Sequence, residues 1–321
     1  MRSYTRRDFT KLALAAVPAA GFLSAASPLR AAGAKAGSKV GGVMIGLNVP
    51  YSFRNQALNA DEILTNCVQL GLSGVELRTQ PVEVFLGAPA ALVNTRAKLV
   101  KGAAAEAKAT TLRDWRRTAP LARAGEFRAK YEAAGVAIEI VKVDGIFSYA
   151  EAELDYAFKL AKALGARAVS TEITKDHSAK GDADLARVGG FAAKHGLLVG
   201  LHGHAETGAK EFEHAFGLSP ALGANLDIGH YVAGNNGSPV DFIRRHHARV
   251  THVHIKDRKK DKGGNTPFGE GDTPIREVLR LIRDNKWPIQ ATIEFEYAVP
   301  AGSSVMAEIA RAVKFCRDAL A

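Results

Sequence analysis

The chain has 321 residues, 47% of them hydrophobic, with 43 Lys and Arg against 33 Asp and Glu for a formal charge of +10. That length builds one large core and excludes a string of big domains. The two cysteines, Cys67 and Cys316, exclude a disulfide framework and a CxxC site, and both read as buried thiols in helical segments.

The opening residues stand apart from the fold. Arg6-Arg7-Asp8-Phe9-Thr10-Lys11 is a twin-arginine pattern, and an apolar, Ala-rich run follows from Leu12 to about Ala26. Small residues continue to Ala36 and suit a signal peptidase. Residues 1–36 are therefore expected to be a Tat signal peptide and 37–321 the folded domain. The run is shorter than the roughly 20 strongly apolar residues of a spanning helix, so no permanent membrane anchor is expected. Partnership with the Tat export machinery and a periplasmic location follow as expectations. Arg2, Arg6, Arg7, Lys11, Arg30 and Lys35 against Asp8 give this segment +5, so the other 285 residues carry only +5. That excess tolerates anionic substrates and falls well short of a nucleic-acid footprint, so no nucleic-acid partner is expected.

From Val40 onward, short apolar runs alternate with longer helical patterns, as in a parallel sheet with helical crossovers. Strands are predicted at Val43–Val49, Gly74–Leu77, Val136–Val143, Ala166–Glu172, Leu197–Leu201, Ala224–Ile228, Val250–Ile255 and Ile289–Phe295. Helices are predicted at Ala60–Leu70, Ala119–Ala133, Glu151–Leu164, Asp184–His195, Glu211–Leu218, Val240–His246, Ile275–Asn285 and Val305–Leu320. Eight such strands in one domain make an α/β fold, a (β/α)8 TIM barrel. The period breaks at residues 81–134, read as an Ala-rich, partly exposed helical excursion before the regular helix. The basic stretch LRDWRR (112–117) within it reads as a solvated helix face.

Four segments place metal-ligand side chains towards strand ends: GLHGHAE (200–206), NLDIGH (225–230), HVHIKD (252–257) and TIEFEY (292–297). Side chains alternate faces along a strand, so His202 pairs with His204, His252 with His254, and Glu294 with Glu296 on one face. The C-terminal inward face of such a barrel is where its chemistry gathers. Histidines and carboxylates there suit one divalent ion, Mn2+, Zn2+, Co2+ or Mg2+. Asp227 would usually cap a following helix, but Tyr231-Val-Ala-Gly is a poor helix start, so it reads as a ligand. His254 lies nearer the mouth than His252, and Glu294 relieves its repulsion with Glu296 through a cation. His230, Glu172, Lys260 and Glu296 read as substrate-binding groups, and Lys256 to Lys260 as a cationic loop. Glu76 and Asn48, at the first two strand ends, read as substrate contacts. The loop Thr266–Pro274 reads as a surface loop or a lid, and His195, His246 and His247 as exposed helix residues without a role.

LDIGH, HVHIKD, FGEGDTPI and IEFEY, in that order, resemble hallmarks of the sugar-phosphate isomerase/epimerase family, the xylose isomerase-like TIM barrels. The resemblance covers essentially all of residues 37–321 and is strongest from Leu197. It implies one divalent ion held by two glutamates, an aspartate and a histidine from four strands. Asp227, His254 and Glu294 match three of these positions. At the first glutamate this chain reads Leu201-His202, so either His202 or Glu172 supplies the fourth ligand, and His202 fits the matched position better.

The implied reaction is proton abstraction next to the carbonyl of a sugar, with His204 or Glu294 as base and Lys256 on substrate oxygens. Reprotonation gives isomerisation or epimerisation. Loss of a β-oxygen gives a lyase, or an overall hydrolysis, on 3-keto-glycosides. His202 in place of a glutamate weakens the symmetric two-glutamate mechanism and resembles members that act as lyases. An endonuclease sharing the barrel and a metal-free sugar-binding barrel are rival readings. Substrate identity and any homo-oligomer are left open by the sequence.

Overall fold

Eight short runs of β-branched and aliphatic residues form the inner wall of the protein. They are β1 (Val43–Val49), β2 (Gly74–Arg78), β3 (Ala137–Lys142), β4 (Ala168–Glu172), β5 (Leu198–His202), β6 (Leu222–Asp227), β7 (Val250–Ile255) and β8 (Gln290–Ile293). The structure is a computed structural model describing residues 37–93, 103–174, 176 and 178–321; the segment expected to be a signal peptide lies outside the described residues. Each strand pairs in parallel with the next, and β8 pairs with β1, which closes the barrel. Closure leaves no sheet edge to protect. All eight predicted strands are present, with ends displaced by two residues at most.

The outer ring follows the helical pattern. In order it comprises α1 (Ala60–Gln69), α2 (Thr79–Phe85), α3 (Ala90–Val93), α4 (Ala103–Thr118), α5 (Ala124–Ala133), α6 (Glu151–Ala163), α7 (Ala179–His195), α8 (Ala209–Leu218), α9 (Ile228–Ala233), α10 (Pro239–His246), α11 (Ile275–Asp284) and α12 (Val305–Leu320). In α11, Ile275, Val278, Leu279 and Ile282 are buried at i, i+3, i+4 and i+7, the stripe a helix needs to lie on a sheet. Asn59 starts α1 with a capping box: its side chain accepts from Asp61 and Glu62 N–H, and Glu62 accepts from the Asn59 N–H. Among the described residues no helix is long and apolar enough to cross a membrane.

Three regions depart from expectation, the first being the predicted helix Asp184–His195, which starts earlier, at Ala179, where the Ser178 side chain caps it. The predicted helix Ala119–Ala133 starts at Ala124, after a 3-10 turn over Leu121–Arg123. Within LRDWRR, Arg116 is buried rather than solvated, donating to Glu83 of α2 at 2.8 Å and Glu153 of α6 at 3.0 Å. A guanidinium with two buried carboxylates needs no water, which is why a basic stretch can turn inward.

The loop at Thr266–Pro274 is a fixed rim. Asp257 is buried, and its carboxylate accepts from the N–H of Gly269 at 2.7 Å, Gly271 at 3.0 Å and Thr273 at 3.2 Å. A side chain at Gly271 would stand 2.0 Å from Asp257 Oδ1, so only glycine permits that approach. Asp257→Ala removes an ionised acceptor from three loop N–H groups and should cost about 2–4 kcal/mol of unfolding free energy in urea titration. A loss under about 0.5 kcal/mol, the scale of a plain surface change, would show that the rim is held by other means.

Candidate functional site

Each strand brings a polar side chain to the C-terminal mouth: Asn48, Glu76, Lys142, Glu172, His202, Asp227 and His254 from β1 to β7, with Glu294 one residue past β8. The pairing sets their heights. His202 is level with Glu172 and Asn225, Asp227 with His254, and Asn48 with Glu76. Two register shifts interrupt the ladders, at Val75/Glu76 and at Ala224/Asn225. Both fall beside residues that touch His254, where a shifted register re-aims a side chain.

His202, Asp227, His254 and Glu294 are all buried and offer one ligand atom each within 4.8 Å of one another. His254 is the pivot. Its Nε2 lies 2.5 Å from Glu76 Oε2, while its Nδ1 lies 3.4 Å from Glu294 Oε2 and 4.0 Å from Asp227 Oδ2. Glu76 thus orients the ring and leaves Nδ1 facing the other acids; a metal ion taking that nitrogen would displace its proton and find a carboxylate-backed ligand. Asp227 does cap a helix after all: Oδ1 accepts from the His230 N–H at 2.7 Å and starts α9. The short turn succeeds where Tyr231-Val-Ala-Gly looked unfavourable because Gly229 lets the backbone pass Lys256, whose carbonyl oxygen would be 2.7 Å from a side chain there. Capping uses only one oxygen.

Asp227 Oδ2 meets the Lys256 ammonium at 3.0 Å, while among the described residues the buried His202 Nδ1 and His254 Nδ1 have no hydrogen-bond partner. Such atoms are costly unless something satisfies them. Four ligands about 2.1 Å from a tetrahedral ion stand roughly 3.4 Å apart, so this donor set fits one divalent cation. Glu294 is steadied from behind, Oε1 accepting from Asn48 Nδ2 at 2.9 Å.

Charge is arranged to match. Burial works to raise the Glu76 pKa, but His254 and His252 hold it well below the usual carboxylate range. Burial pushes His202 well down, and His254 and Lys142 add to this, so its imidazole is neutral as a ligand must be. His252 falls to about 4, mainly through burial. His254 goes the other way, to about 10, because Glu76 and Glu294 outweigh burial. Asp227 and Glu294 stay ionised against burial chiefly because of Lys256.

Lys256 does not lie in an open cationic loop. It is buried, with Nζ 3.0 Å from Asp227 Oδ2 and 2.7 Å from both Glu294 Oε2 and Glu296 Oε2. Glu296 is held on its other oxygen by Tyr51 Oη at 2.5 Å. His230 lies between two cations, Nε2 3.1 Å from Lys256 Nζ and Nδ1 2.6 Å from Arg258 Nη1. A neutral imidazole accepts at one nitrogen only, so one of these is a contact without a hydrogen bond. Lys260 is exposed on the turn after β7 and is not brought to this group.

Glu172, level with His202, is not one of the four and is held by other partners. Its Oε1 accepts from Lys142 Nζ at 2.6 Å and its Oε2 lies 3.5 Å from His204 Nε2. The His204 ring is 5.0 Å from that of His202 and 4.8 Å from that of His230. Lys142 was not singled out from the sequence, although it is the last residue of β3, the position that carries site groups in the other strands. Of the histidines without a role, His195 is hydrogen-bonded to Asp155 and stacked on Phe158, and His247 is stacked on Trp287.

A family model described as xylose isomerase-like TIM barrel matches residues 152–319. The chain belongs to this family. A curated relative from Clostridium botulinum, named inosose dehydratase, is 26% identical over 135 residues, 35% of this chain and 45% of that protein. The chain thus spans under half the length of that relative. The crystal structure of D-psicose 3-epimerase with D-tagatose from Clostridium cellulolyticum H10 matches with a TM-score of 0.61 at 13% identity, over 87% of this chain and 99% of that one. The crystal structure of IolI protein with a binding zinc atom matches with a TM-score of 0.58 at 16% identity, over 87% and 98%. At these identities the likeness to solved structures concerns the barrel itself.

Glu76 is the buried counter-charge for His254. Glu76→Ala should lower the unfolding free energy by about 3–5 kcal/mol in EDTA, the usual cost of breaking a buried ion pair. Urea titrations of both proteins measure this, and a change under about 1 kcal/mol would place the His254 charge balance elsewhere.

Proposed function

We propose that this chain is a metal-dependent enzyme that removes a proton next to the carbonyl of a sugar, a sugar derivative or the keto form of a cyclic polyol. The observation that carries the proposal is the buried quartet of His202, Asp227, His254 and Glu294, in which both imidazole Nδ1 atoms lack a hydrogen-bond partner and the two carboxylates share one ammonium. Two imidazoles and two carboxylates favour Zn2+, Mn2+ or Co2+ over Mg2+, and the zinc atom in the IolI structure supports the same choice. When bound, the ion would polarise a substrate carbonyl as a Lewis acid.

The chain's own groups do the rest. His204 stands beside the quartet with Glu172 near its Nε2, and takes the proton as general base. Lys256, backed by Glu296, faces the mouth from the other side and holds a substrate oxygen on which negative charge grows. Isomerisation or epimerisation results when the proton returns to a carbon. Elimination is the second reading, because a curated relative is named as a dehydratase and because an imidazole, His202, stands where a second carboxylate base is expected. In that outcome the abstracted proton stays on His204 while the β-oxygen leaves as water or an alcohol with a proton from the site, giving an unsaturated ketone; later addition of water to that product would complete an overall hydrolysis of a keto-glycoside.

Incubation in D2O with a panel of keto-sugars, inososes and 3-keto-glycosides tests both readings. Deuterium should enter at one carbon, or a dehydrated product should form, and EDTA should abolish either. His204→Ala should slow exchange about 10^2- to 10^4-fold. No exchange with any panel member by the metal-loaded protein would remove the proposal. For residues 1–36 the proposal is a Tat signal with periplasmic delivery. Arg6→Lys/Arg7→Lys protein should stay in the cytoplasmic fraction, and its arrival in the periplasm would remove that assignment.

A further inference from the structure

The position of Lys256 carries a consequence for how a cation enters the quartet. Its ammonium already lies on Asp227 Oδ2 and Glu294 Oε2, two of the oxygens that a divalent ion would take. A lysine and a divalent ion cannot both occupy those oxygens at full contact, because like charges a few ångströms apart in a buried site repel strongly. The acceptors are over-provided for one ammonium. Asp227, Glu294 and Glu296 carry three negative charges against the single charge of Lys256, and the difference is the charge of one divalent ion. Glu296 is also the one acid of the three outside the quartet, and Tyr51 fixes it from behind. His230 Nε2, 3.1 Å from Nζ, offers a second resting partner.

We propose that Lys256 is a resident counter-ion of the quartet: in the metal-stripped protein it neutralises Asp227 and Glu294, and on binding of a divalent cation it cedes both oxygens and stays on Glu296 and His230. In that position the ammonium is beside the ion and turned to the mouth, so one movement loads the site and presents a donor to substrate. Lys256 is then a positioning residue for the metal. The inference rests on the metal reading above.

The test is calorimetric titration of EDTA-stripped protein with Mn2+ and, separately, Zn2+, combined with thermal unfolding before and after loading. For Lys256→Met the expected result is a stripped form less stable than the unaltered chain, about tenfold or tighter binding of the ion, and a larger rise in Tm on loading. Glu296→Gln removes the resting place and should weaken binding by about tenfold; it keeps the proposal falsifiable should Lys256→Met fail to fold. Equal or weaker binding by Lys256→Met, beside an unaltered chain that binds one equivalent, overturns the inference and leaves the metal reading standing. So does unchanged affinity in Glu296→Gln. Binding by Lys256→Met alone supports the inference in its strongest form, with the lysine excluding the ion. Absence of binding in all three proteins overturns both.

Discussion

Negative charge taken out of water at the barrel mouth is the constraint to which the rest of this structure answers. Glu76, Asp227 and Glu294 are buried together, and Glu296 stands at their edge. Each would be neutralised by its own proton if nothing positive stood near. Here His254 faces Glu76 and Glu294, and Lys256 faces Asp227, Glu294 and Glu296. The acids therefore remain ionised, and an ionised, partly unsatisfied set of oxygens and nitrogens is what attracts a divalent ion.

The barrel supplies the geometry at little expense. Parallel strands place side chains in layers, and inward alternation stacks His252 beneath His254 while Val253 and Ile255 join the apolar layer behind. The two register shifts lie next to Glu76 and Asn225, on either side of His254. Without them, regular pairing would hold those side chains at other heights. Backing interactions then fix what the strands present, with Asn48 on Glu294, Glu76 on His254 and the α9 N-terminus on Asp227.

Much of this was legible in the sequence because periodicity acts over a few residues. The strand sites, the eightfold repeat and the placing of His202, Asp227, His254 and Glu294 at strand ends need only alternation and spacing. What was not legible depends on residues far apart in the chain. Glu76 could be read as a strand-end acid, but its pairing with His254 spans 178 positions. Lys256 and Asp257 looked like the start of a cationic loop, since no local pattern distinguishes a buried lysine from a solvated one. Arg116 misled for the same reason: its partners Glu83 and Glu153 lie on other helices. Asp227 shows the opposite error: a helix cap and a metal ligand were treated as alternatives, but the cap uses only Oδ1 and leaves Oδ2 turned to the other acids' side of the site.

The Arg116 clasp bears on how the excursion after β2 could ever be trimmed. Its guanidinium joins α4 to acids on α2 and α6 and lies over the Tyr149 ring, so the added segment is riveted to the barrel wall from within. Cutting the loop back to the length of a minimal barrel would strand Glu83 and Glu153 as bare acids in an apolar seam. A shortened version would have to exchange both for apolar residues in the same step, and a lineage could not shed the insertion by deletion alone.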